Sequence, residues 1–348
     1  MDSDVFIIGA GCSVPYGFPT GAMLMQKLKK FDYGTKFPRE PYDISDIFLV
    51  DLYQERFGCS SADCKRLGID IVWSLPSTND EALYNQMMDG IVLPFSQSIR
   101  NSMMVSTDEF LKNRLGQKQN EQTDFGKRLI AYEILEAEQA SQLGNIDWIQ
   151  HLLSRIDQQS NWEEILKQTV FLTFNYDRVL EYCVFLYLTS DKQYADADAH
   201  AFIKEMQIHH VNGFIGSLEE IPFGAVENGK YQEIAKRMAT VWEKRSNRGE
   251  SEIGKYQGFL KNAQRVYFMG FSYIPDNLES IGINRGAGII YDAEVYATAM
   301  GLSPQNRLRI SSYLDLDDFE NGKRTHIENR ILKDASAVDL ILDYYTFS

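Results

Sequence analysis

Residues 5–21 read VFIIGAGCSVPYGFPTG. An apolar run, Val5 to Ile8, meets Gly9-Ala10-Gly11 at once, and a second turn follows at Gly17-Phe18-Pro19. A strand that ends in residues without bulky side chains lets backbone come close to a phosphate. The dehydrogenase fingerprint G-x-G-x-x-G/A fits Gly9 and Gly11 but fails at Val14. Asp32 lies about the right distance downstream to bind a ribose, yet KKFDYG has no second strand before it. Hydride transfer therefore fits poorly, and a turn with a purely structural purpose competes with it. Ser13, Gly17 and Pro19 are left over by either account.

The elements that must position these residues follow one rhythm. Val5 to Ile8 reads as a buried strand, and Thr20 as the cap of the helix GAMLMQKLKKF. VFLTFNYD is a strand entering a turn, followed by the helix RVLEYCVFLYL. IHHVNGFIG and RVYFMGFSYIPDN are strands that run into glycine turns, and AEVYATAMGL is a late strand. Strands that end in Gly, Asn or Ser and lead into helices predict a Rossmann-like α/β fold, a parallel sheet with helices on both faces. In such sheets ligands bind at the carboxyl ends of the strands, the edge where the polar turns fall. From about residue 36 the rhythm breaks. DISDIFLVDLYQERF, DEALYNQMMDGIVLPFSQSI and FGKRLIAYEILEAEQASQL carry apolar positions at helical spacing, joined by polar stretches such as NRLGQKQNEQTD. The prediction is a sheet domain of residues 1–35 and 166–348, with a mostly helical insertion over 36–165.

GAGCSVPYGFP resembles the sirtuin loop G-A-G-x-S-x-x-x-G-x-P at every fixed position, Gly9, Ala10, Gly11, Ser13, Gly17 and Pro19. TFNYD, with Thr173, Asn175 and Asp177, resembles the T-x-N-x-D segment of that family. GFS, Gly270 to Ser272, resembles its later G-x-S loop, and HHVNG lies where sirtuins place a His-Gly pair. The four segments occur in family order and span both α/β halves. The resemblance implies that the first loop wraps the pyrophosphate and adenine-side ribose of NAD, with Ser13 adding a hydroxyl. Sirtuin deacylases carry a four-cysteine zinc module before the last glycine loop. No cysteine follows Cys183 here, and a helical insertion stands in the first half instead. That arrangement is similar to the sirtuin-like NAD hydrolases of bacterial anti-phage defence, which deplete NAD on infection, often within oligomers and beside an ATPase or another sensor.

Cleaving the nicotinamide–ribose bond makes an oxocarbenium-like centre on a substrate whose leaving group is already good. The site must position NAD, stabilise ring charge and admit water. Asn175 can hold a ribose hydroxyl or orient that water. Asp177 can bind the carboxamide or offset positive charge, and an ordinary Asx turn competes for both residues. Histidine is the natural base near neutral pH, but the residue directly before Gly213 is Asn212. His210 lies two residues earlier and, in an extended segment, faces the same side, while His209 points away. Three outcomes stand: His210 is the base, Asn212 suffices, or the chain binds NAD without turning it over.

Lys and Arg number 35 against 49 Asp and Glu, a net charge of −14, which argues against nonspecific nucleic-acid or anionic-membrane binding. No apolar run approaches the ~18 residues of a membrane helix, and the acidic start Met1-Asp2-Ser3-Asp4 lacks a signal peptide's basic region. A cytoplasmic protein is expected. Cys59 and Cys64 are the only close pair of the four cysteines, without a second pair at zinc-site spacing. The acidic run DLDDFE, Asp315 to Glu320, lacks the spacing and glycine of a calcium loop, so no metal is expected. Nothing in the chain reads as a sensor. The expected partners are further copies of itself and a switching protein such as a HerA-like hexameric ATPase, with Met87, Met88, Ile91 and Phe95 available either to an interface or to packing inside the insertion. A catalytically weak NAD- or ADP-ribose-binding sensor or scaffold subunit is the competing function.

Overall fold

The computed structural model describes residues 3–31, 33, 88–139, 141, 143, 147–225, 231–239, 250–284, 290, 293–314, 316 and 330–347. Asp32, Cys59, Cys64, Met87, the predicted helix DISDIFLVDLYQERF and the acidic run apart from Leu316 lie outside them.

Six strands, β1 (Ser3–Ile8), β2 (Val170–Thr173), β3 (Gln207–His210), β4 (Ala263–Met269), β5 (Glu294–Thr298) and β6 (Arg330–Lys333), form one sheet. Every pairing is parallel and the order is β3-β2-β1-β4-β5-β6. This is the doubly wound order of Rossmann-like folds, whose direction of winding reverses between β1 and β4.

Side chains alternate along each strand, and both faces are covered, as parallel sheets require. Val5, Ile7, Leu172, Val266, Phe268 and Val295 point to one face, where they form a core with Tyr256 and Leu260 of the helix Glu250–Lys261 and with Ile310 and Leu314 of the helix Pro304–Leu314. On the other face Phe171, Phe6, Tyr267 and Tyr296 stack in register across four strands, with ring centroids 5.3, 4.7 and 5.2 Å apart. Tyr345, just past the helix Ala337–Tyr344, closes over Phe6 and Tyr267 at 5.6 and 5.8 Å. At the amino end of the sheet Arg265 clasps Asp4 with two bonds of 2.7 and 2.6 Å and donates to the Thr346 carbonyl.

The chain divides into two compact units, a sheet unit of residues 1–18, 140–223 and 241–348 and a helical unit of residues 19–139 and 224–240. These limits differ from the segments predicted from sequence. The helix Gly21–Lys30, capped by Thr20 as expected, belongs to the helical unit. The helices Trp148–Asp157 and Trp162–Gln168 belong to the sheet unit. The first of them is bound there at both ends: the Trp148 indole donates to the Cys12 carbonyl at 3.0 Å, and Arg155 donates to the carbonyls of Leu342 and Tyr345. Helical periodicity carries no record of which core a helix joins, so the boundary was not readable from pattern alone.

The helical unit packs Leu93–Arg100, Thr107–Gly116 and Asn120–Gln139 around Phe95, whose ring meets Phe110 and Phe125 edge-on at 5.6 and 5.2 Å. Met88, Ile91 and Phe95 are 0, 3 and 0 % exposed. They form core, so the interface use weighed for them does not apply. The polar stretch NRLGQKQNEQTD is mostly helical and contains a break of three residues, 117–119, between two helices, with Lys118 in the left-handed region at φ 59°. No helix among the described residues is long and apolar enough to cross a membrane.

Candidate functional site

The loop after β1 is built by backbone against backbone. Gly9 donates to the Met269 carbonyl at 2.9 Å and Gly11 to the Gly270 carbonyl at 3.0 Å. A Cβ on Gly11 would stand 2.9 Å from the Gly270 Cα, and one on Gly9 2.7 Å from the Phe271 Cα. Gly270 itself has φ 53°, and a Cβ there would meet the Gly11 carbonyl carbon at 2.7 Å. The three glycines are thus needed because the loops after β1 and β4 touch. Cys12 and Ser13 donate their amides to Gly9 and Ala10 in a short 3-10 turn. The amides of Gly9, Gly11, Cys12 and Ser13 are therefore all bonded within the protein.

Asn175 ties this loop to the end of β2. Its Nδ2 donates to the Gly9 carbonyl at 3.2 Å and to Ser13 Oγ at 2.9 Å. The Gly9 oxygen can only accept, which fixes the orientation of the amide. Its backbone amide donates to Thr173 Oγ1 at 3.1 Å. Asn175 is 6 % exposed, and its Oδ1 is buried without a hydrogen-bond partner. A buried amide oxygen left unpaired costs on the order of 1–3 kcal/mol unless something else donates to it.

Asp177 follows in the same turn. Its carboxylate accepts from Ser13 and from the Val179 amide. Burial pushes the carboxyl up to about 6, Glu181 adds to the rise, and Ser13, Val179 and His210 only partly offset it. Glu181 stands in the first turn of the helix Val179–Leu186 and is 8 % exposed. Its Oε1 lies 2.6 Å from His210 Nε2, while His210 Nδ1 lies 3.0 Å from the Asn175 carbonyl oxygen. Phe214 stacks on the imidazole at 4.5 Å. His209 turns to the opposite face, stacked on Phe259, and burial lowers it to about 4.

Ser13, Thr173, Asn175, Asp177 and Glu181 line a narrow pocket with Cys12, Trp148 and Ile149. The space they enclose is about that of a single water. Burial holds the Cys12 thiol well above its ordinary range, so it lines the wall as a neutral group. Asn212 is buried at the turn after β3, and its Oδ1 also lacks a partner. Arg178, fully buried, donates to the carbonyls of Gly216, Ser217 and Ile221 and holds that loop.

Ser13, Thr173, Asn175, Asp177 and His210 are therefore brought together. Gly270 packs against the loop, whereas Ser272 is exposed and bonded to Asn277 at 3.3 Å. Ala10 is half-buried at the start of the 3-10 turn, and Pro19 is buried as the first residue of the helical unit. Two contributors were not read from sequence. Glu181 carries a signal, since it is the one charge in VLEYCVFL, an otherwise apolar helix. Trp148 carries none, because its segment looked like part of the insertion. Among the described residues no three His, Cys, Asp or Glu side chains are grouped as a metal site requires. No protein-family model matches the chain, and no curated protein is similar to it in sequence.

Proposed function

We propose that the chain is an NAD glycohydrolase that cleaves the nicotinamide–ribose bond to give nicotinamide and ADP-ribose. The observation that carries this reading is Asn175. Its Nδ2 is spent on the loop after β1, and its Oδ1 is buried, unpaired and at the carboxyl ends of the strands. That oxygen suits a ribose hydroxyl or a water, the group a hydrolase must orient. Asp177, titrating near 6, supplies negative charge beside the developing cation and accepts a proton near neutral pH. Ser13 holds Asp177 and Asn175 in one arrangement. Two of the segments that resemble sirtuins, GAGCSVPYGFP and TFNYD, supply these groups. The pocket as it stands takes about one water, so substrate entry requires the walls to part.

The setting we infer is cytoplasmic NAD depletion in bacterial anti-phage defence, with the chain self-assembled and switched on by a second protein, a HerA-like hexameric ATPase being the type that fits. The test is nicotinamide release by purified protein, alone and with the products of neighbouring genes. Asn175→Ala should lower turnover at least ~100-fold, as for other positioned polar groups, while NAD affinity falls less. Full turnover in that variant would overturn the reading. Full turnover by an isolated wild-type monomer would remove the partner from it.

A second reading, an NAD- or ADP-ribose-binding scaffold, is favoured by one observation. Both ring nitrogens of His210 are engaged, so the ring offers no lone pair to a water. NAD binding by calorimetry without nicotinamide release under any condition would select it.

A further inference from the structure

We propose that Glu181 is the positioning residue of this site: through His210 it fixes the Asn175 carbonyl and keeps the imidazole charged, which leaves Asp177 as the proton acceptor. The geometry carries the argument. The Asn175 carbonyl oxygen, 3.0 Å from Nδ1, can only accept, so Nδ1 bears a hydrogen. Nε2 then faces a carboxylate at 2.6 Å, in a contact whose side chains are 6 and 11 % exposed. A proton must lie between them, and a buried carboxylate with a buried ring is held best as an ion pair with two hydrogen bonds.

The surroundings agree. Burial alone would keep the ring neutral, but the charge and hydrogen bond of Glu181 outweigh it, helped by the Asn175 carbonyl and Asp177, and His210 is raised. The neighbouring His209 is lowered to about 4 and faces away, so it adds no competing positive charge. Phe214 covers the ring face, and the Arg178 guanidinium is turned to backbone carbonyls. With both nitrogens donating, His210 cannot take a proton from water. Asp177, near 6 and held by Ser13, can.

The positioning role rests on the NAD-hydrolase reading, whereas the charge state of the ring does not. The experiment reads the two separately. In protein labelled with 15N-histidine, the imidazole signal that disappears in His210→Gln is followed with pH. We expect both nitrogens to be protonated at pH 7, and the midpoint to fall by at least about one pH unit in Glu181→Gln. A neutral ring protonated only at Nδ1 at pH 7 in the wild type overturns the proposal, and that measurement stands even if Glu181→Gln does not fold. An unmoved midpoint in a folded Glu181→Gln overturns it too. In parallel, Glu181→Gln should lower kcat for nicotinamide release at least ~10-fold with little change in KM. Unchanged kcat would remove the positioning role. No release by wild-type protein under any condition would sink the hydrolase reading and leave the titration to decide the state of the ring.

Discussion

The two ends of the sheet hold buried carboxylates in opposite ways. At the amino end Asp4, on β1, is raised by burial and answered by a bidentate Arg265, whose remaining donor reaches the Thr346 carbonyl. At the carboxyl end Asp177 and Glu181 are held by a serine hydroxyl, backbone and a histidine, and two amide oxygens nearby, on Asn175 and Asn212, have no partner. The first arrangement is closed around the cation, since all three guanidinium nitrogens of Arg265 have acceptors. The second leaves a deficit that only another molecule or water can fill. Stability and function compete for buried polar groups, and under the proposed function the two are sorted to opposite ends of the sheet.

The largest effect should come from breaking the closed end. Asp4→Ala leaves a mostly buried guanidinium without its carboxylate, which typically costs about 3–5 kcal/mol. Urea midpoints should fall accordingly, while nicotinamide release per folded molecule stays unchanged. If Asp4→Ala lowered release and Asn175→Ala lowered stability by as much, the two ends would not be specialised.

Much of this was legible in sequence because strand and turn are local. Apolar runs followed by Gly, Asn or Ser placed β1, β2, β3 and β4, and the segment TFNYD put Thr173 at the end of β2 with Asn175 and Asp177 in the turn after it. The sixth strand spans four residues with alternating burial, which leaves little pattern to read. Glu181 is legible as the one charge in an apolar helix, but nothing in the sequence says that the first turn of that helix passes the site. The glycines are ambiguous in a different way. A glycine that admits a phosphate and one that admits another backbone look alike in sequence, and only the position of Gly270 tells them apart.

That distinction gives the next test. Gly270→Ala places a Cβ against Cys12 and Gly11 at a left-handed backbone angle. Strain and overlap together should cost about 2–4 kcal/mol. Gly11→Val should also destabilise, because its side chain meets Gly270 before it meets any ligand. Lost NAD binding in Gly11→Val is therefore informative only alongside a thermal melt. A Gly270→Ala protein with wild-type stability would show that the two loops do not hold each other as described.

The smallest effect is the most diagnostic, because its sign is unusual. Asp177 titrates near 6 in the folded chain against an ordinary 3.8, owing first to burial. Between those values the folded state binds more protons than the unfolded one, so stability falls as pH rises through that window. Above pH 6 the full penalty of the charge is present. Asp177→Asn keeps the shape and an oxygen for the Val179 amide but removes that charge. It should raise stability at pH 7.5 by about 1–3 kcal/mol and leave it nearly unchanged below pH 4. Under the proposed function nicotinamide release should fall at the same time, because the proposed proton acceptor is gone. A variant that is both more stable at neutral pH and less active marks a carboxylate kept for chemistry against the interest of the fold. A variant less stable at pH 7.5 would mean that Asp177 belongs with Asp4, as a structural carboxylate, and would erase the difference between the two ends of the sheet.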